Sequence, residues 1–100
     1  MIKVKVKKDG SKYQTISILG HAFYDDYGKD IVCSACSSIM TTTINGILAL
    51  DKNSLQYEVS DEGVIISYIK EDNTTQKLIQ NMVSLLKELE GNYPDNIKVK

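Results

Sequence analysis

The opening of the chain constrains the fold most. Ile2, Val4 and Val6 alternate with Lys3, Lys5 and Lys7, and a two-residue period of β-branched apolar side chains marks a strand with one buried face. Asp9-Gly10 follows, a pair suited to a tight hairpin turn. Tyr13 to Leu19 is the returning strand, with Ile16 and Ile18 on one face, and it ends at Gly20-His21. A chain that starts this way is committed to a sheet that needs a cover.

The cover comes from two longer segments. From Ile31 to about Leu50 the apolar residues Val32, Ala35, Ile39, Met40, Ile47 and Leu48 recur near helical spacing. Thr41-Thr42-Thr43 and Gly46 lower the propensity there, so burial must hold the helix. Leu55, Tyr57 and Val59 alternate with polar residues, and Asp61-Glu62-Gly63 turns the chain into a further strand, Val64 to Ile69. Thr74 or Thr75 is placed to cap a last helix carrying Leu78, Ile79, Met82, Val83, Leu85, Leu86 and Leu89 on a wide apolar face. Gly91 is placed to end that helix, and Pro94 enforces the stop. Ile97 and Val99 then read as a short final strand. The order ββαββαβ implies an α+β fold, a single domain over residues 1–100 with a mixed or antiparallel sheet covered by two helices.

Composition narrows the function classes. The 42% hydrophobic content of 100 residues suffices for one small core and leaves nothing for a second. All 12 basic residues are lysine, set against 13 acidic ones for a net charge of -1. That balance exerts no general pull on nucleic acid, and without arginine the bidentate base contacts of specific DNA readers are missing. Lys3, Lys5, Lys7, Lys8, Lys98 and Lys100 could still form a basic face for RNA if the first and last strands are neighbours; alternatively they keep a sheet surface soluble. No stretch is expected to approach the about 20 apolar residues that span a bilayer, and Met1 to Lys8 is unlike a signal peptide. A cytoplasmic address with no membrane partner is therefore expected, with Cys33 and Cys36 as free thiols.

Those thiols and the single histidine carry the chemistry. With Asp30 as N-cap, Cys33 is the third helical residue, where unpaired amides and the positive end of the helix dipole favour a thiolate. His21 stands at a strand end before a loop, Ala22 to Lys29, and could take the thiol proton and return it to a leaving amine. Asp30, Cys33 and Ser37 fall on one helical stripe, so Asp30 could orient His21 and Ser37 could bond the sulfur or the substrate. Each also has an ordinary reading: a plain cap, a first-turn serine, a small buried cysteine. Phe23, Tyr24 and Tyr27, flanked by Gly20 and Gly28, could close over an apolar side chain or simply lie on the surface.

Cys33-x-x-Cys36 at a helix start also has the layout of a thiol-disulfide oxidoreductase. Such folds face the motif with a cis-proline, and the only proline here is Pro94. Zinc would need a fourth ligand beside Cys33, Cys36 and His21, and no glycine-rich phosphate loop is present. No cofactor and no metal are expected.

The run from Gly20-His21-Ala22 through Gly28-Lys29-Asp30-Ile31-Val32-Cys33 to Ser37 resembles the signature of the ribosomal-processing cysteine protease family, Prp. The resemblance implies a cysteine endopeptidase with this order of elements. It would remove the N-terminal extension of bacterial ribosomal large-subunit protein twenty-seven, cutting after an aromatic pair and before a small residue. His21 would be general base and acid and Cys33 the nucleophile, with Asp30 and Ser37 at the remaining polar positions and the loop over the substrate. It also implies a homodimer working in the cytoplasm during ribosome assembly. Cys36 departs from the pattern, which has a small or branched apolar residue there. A non-catalytic ribosome-associated binding module would make Cys33 dispensable.

Overall fold

The computed structural model describes residues 1–26 and 28–100. Tyr27, assigned above to the substrate loop, lies outside the described residues. The elements are β1 (Ile2–Asp9), β2 (Lys12–Leu19), α1 (Ile31–Leu50), β3 (Gln56–Ser60), β4 (Gly63–Ser67), α2 (Asn73–Asn92) and β5 (Ile97–Val99). They form one five-stranded sheet in the order β3-β4-β2-β1-β5. β5 runs parallel to β1 and the other pairs are antiparallel, so the expected mixed α+β sheet is present.

The alternation in β1 does what a two-residue period should. Ile2 and Val4 are buried while Lys3, Lys5 and Lys7 are exposed, and Lys3 lies beside Lys98 of β5 on the outer face. A bulge between Lys7 and Lys8 sets two residues of β2 against one of β1, which turns Tyr13 inward on the same side as Ile16. The inner face packs on Val32, Cys36, Ile44 and Ile47 of α1 and on Ile79, Met82, Val83 and Leu86 of α2. Each such fully buried aliphatic side chain contributes about 2 kcal/mol.

Three expectations need correction. Tyr57 and Val59 lie on the inner face, opposite Ile66 and Val64, yet are 45% and 70% exposed, because β3 is an edge strand that the helices leave uncovered. α2 is capped by Asp72, which accepts from the Thr75 amide, rather than by Thr74 or Thr75, and it runs past Gly91 to Asn92. Finally, α1 is long and apolar enough by length and composition to cross a membrane, contrary to the expectation that no stretch comes near. Here it packs by one side on the sheet and α2.

Two close backbone approaches fix the end of β2. A Cβ at Gly63 would overlap the Ile18 carbonyl, and one at Gly20 would overlap the carbonyl of Met1. Both glycines have positive φ, +143° and +94°, so no other residue fits these positions without displacing the backbone.

Candidate active site

The site is built where β2 ends and α1 begins. Asp30, only 8% exposed, caps α1 through Oδ1, which accepts from the Val32 and Cys33 amides at 3.0 Å each. Its Oδ2 accepts from the Tyr24 amide at 3.0 Å. Burial pushes this carboxyl up, but the amides of Cys33, Tyr24, Asp25 and Val32 together outweigh it and hold the group below its ordinary value. The carboxylate that could have oriented His21 is thus engaged by backbone.

Cys33 is the third residue of α1, half-buried at the cleft wall. Its Sγ accepts a hydrogen bond from the Ala22 amide at 3.3 Å. That bond draws the segment after β2, with His21 next in sequence, against Cys33. His21 is exposed and its ring stands 5.9 Å from the Phe23 ring at 57°. Phe23 itself is 78% exposed with φ of +54°, a left-handed conformation that costs a non-glycine residue about 1 kcal/mol. Cys36, one turn along, is only 3% exposed. Burial, and then the neighbouring Cys33, push its thiol up to about 12, so it stays protonated and inert at neutral pH.

A cleft of about 670 Å³ gathers most of the predicted site. Gly20, His21, Phe23, Gly28, Asp30, Cys33 and Ser37 all line it. Tyr24 does not; its ring packs edge-on against Tyr93 of the segment after α2, at 5.4 Å and 85°. Ser37 is exposed on the cleft wall, and the donor to the sulfur is the Ala22 amide instead. The apolar floor comes from residues that sequence reasoning did not single out for the site: Ile18, Met40, Val59 and Val64. The alternation of β3 marked Val59 as a strand residue and nothing more.

The profile of the family described as "Cysteine protease Prp" matches residues 1–98. The chain belongs to that family. It is 29% identical to the ribosomal processing cysteine protease Prp of Staphylococcus aureus (strain Mu50 / ATCC 700699) over 103 residues, covering 99% of this chain and 97% of that one. Identity to the Bacillus subtilis (strain 168) Prp is 22% over 107 residues, covering 99% and 96%. The S. aureus Prp in complex with a covalently linked product peptide superposes with a TM-score of 0.92 at 28% identity, covering 100% of this chain and 98% of that one. The same protease in complex with a substrate peptide gives 0.85, with the same identity and coverage. This chain is a cysteine protease of the Prp type with the Prp fold.

Proposed function

We propose that the chain is a Cys33-His21 endopeptidase that trims the N-terminal extension of ribosomal large-subunit protein twenty-seven, cutting after an aromatic pair. The observation that carries this reading is the Ala22 amide on Cys33 Sγ at 3.3 Å, which brings the residue after His21 onto the sulfur, with His21 and Cys33 lining one cleft. His21 takes the thiol proton, the sulfur attacks the scissile carbonyl, and the proton passes to the leaving amine. Water, deprotonated by the same imidazole, then hydrolyses the thioester and restores the thiol.

The amides of Val32, Cys33 and Ser34 are already bonded to Asp30. The Ala22 amide bonds the sulfur itself, so as negative charge moves from sulfur to oxygen this donor can follow it, an effect of about 3 kcal/mol in comparable sites. An apolar floor of Met40, Val59 and Val64 suits an aromatic side chain next to the cut. The S. aureus relative's complexes with substrate and covalently linked product peptides support a nucleophile that bonds to its substrate. The oxidoreductase alternative is disfavoured by the match of the cysteine protease family over residues 1–98.

Incubation with the precursor ribosomal protein, followed by mass spectrometry, tests the reading: a defined N-terminal peptide should be lost with the native enzyme and retained with Cys33→Ala or His21→Ala. Turnover by either variant would reject the dyad. Ribosome assembly places the work in the cytoplasm. We also propose a homodimer, because α1 carries no charge along its 20 residues and exposes Ile31 and Leu50 at its ends; light scattering at micromolar concentration measures it.

A further inference from the structure

Ala22 is held at both of its backbone polar atoms. Its amide donates to Cys33 Sγ, and its carbonyl accepts from Asn96 Nδ2 at 2.9 Å. Ala22 is itself 2% exposed and both bonds are part-buried, which makes each stronger than the same bond in open water.

Asn96 is a rigid support for that contact. Its own amide donates to the Tyr93 carbonyl at 3.0 Å, and its carbonyl accepts from the Ile2 amide at 2.9 Å. The turn after α2 is thereby tied to the first residue of β1, and only side-chain torsions of Asn96 remain to be fixed. A second contact from the same turn, the Tyr93 ring edge-on to Tyr24, holds the loop two residues beyond Ala22. Gly20, on the other side of His21, is pressed against the Met1 carbonyl. His21 thus lies between two fixed points.

We infer that Asn96 is a positioning residue of the protease: by anchoring the Ala22 carbonyl it aims the Ala22 amide at the sulfur and keeps His21 over the cleft. The inference rests on the Cys33-His21 reading above. It reaches the reacting atoms only through Ala22, so its effect falls on the rate of the chemical step more than on substrate affinity. Displacing a reacting group by about 1 Å can cost up to about a hundredfold in rate.

The test compares Asn96→Asp and Asn96→Ala with the native enzyme on a Phe-Phe-Ala peptide. Asn96→Asp keeps the shape and the backbone bonds but presents a carboxylate to the Ala22 carbonyl in place of a donor. Both variants should lower kcat at least tenfold with KM within about threefold, slow the alkylation of Cys33 by iodoacetamide, and retain the native melting transition. Asn96→Gln, which restores a donor, should recover part of kcat. The proposal is overturned if Asn96→Asp keeps native kcat, if KM alone changes, or if both variants lose the melting transition, which would make Asn96 a residue of the fold. Cys33→Ala and His21→Ala run alongside separate the two claims: activity in those variants removes the dyad and the clamp together, whereas their inactivity beside a fully active Asn96→Asp removes the clamp alone.

Discussion

Asp30 and Tyr24 are joined through Oδ2 while the other oxygen of the same carboxylate caps α1. One side chain therefore sets the helix that carries Cys33 and the loop in front of it. Asp30→Ala should cost about 1–2 kcal/mol, the upper part of the range for a helix cap, and should lower turnover beyond what the lost stability explains. Because the folded carboxyl lies below its ordinary value of 3.8, its contribution is fully present above that pH and is lost as the pH falls through the depressed value. Melting temperatures of the native protein and Asp30→Asn, measured from pH 7 to pH 2, should converge only below pH about 4; a constant gap would refute the account.

Gln76 makes a different kind of clamp. Its Oε1 accepts from the Tyr13 amide at 2.8 Å, and its Nε2 donates to the carbonyls of Tyr13 and Lys70 at 3.0 Å each. Gln76→Leu leaves three backbone groups without these partners and should destabilise by about 2–4 kcal/mol. Neither Gln76 nor its partners Tyr13 and Lys70 line the cleft, so kcat per folded molecule should not change. Denaturant titration and active-site titration together check both halves.

Phe23 holds a left-handed backbone and a mostly exposed ring beside His21. Phe23→Gly relieves the strain while adding freedom to the unfolded chain, so net stability should move by less than about 1 kcal/mol. The loss should appear as a several-fold rise in KM for an aromatic-containing peptide. An unchanged KM would mean that the ring does not meet the substrate.

Val59 should behave as a binding residue although it sits in a strand. At 70% exposure its replacement by serine costs little stability, within about 0.5 kcal/mol, but it removes part of the cleft's apolar floor. Peptides with an aromatic residue before the cut should lose more kcat/KM than peptides with alanine there.

The two cysteines should separate cleanly. Cys36→Ala removes a buried sulfur and should lower the melting temperature by an amount equivalent to about 1 kcal/mol while cleavage persists, whereas Cys33→Ala should retain the fold and lose all turnover. Equal losses of activity would revive the two-thiol mechanism.

What was legible in the sequence was local. Asp30, Cys33 and Ser37 share three- and four-residue spacings, so their common stripe on α1 followed from the helix period alone. The strand alternation located the faces of β1 and β2 for the same reason. It could not tell whether a face is covered, and so the alternation of Tyr57 and Val59 did not show that β3 is the uncovered edge. Nor could spacing show that Asp30 would be occupied by amides rather than by His21. Asn96 and Gln76 were invisible: their partners lie 74 and 63 residues away, and nothing near either residue in the chain announces a distant carbonyl.

The parallel pairing of β5 with β1 has a consequence for folding. It joins segments far apart in the chain, so this contact closes a long loop and forms slowly, and until it forms one flank of β1 is an unpaired edge open to wrong partners. The bond from Asn96 to Ala22 spans 74 residues and depends on the same closure, so the edge of the sheet and the Ala22 anchor are completed together.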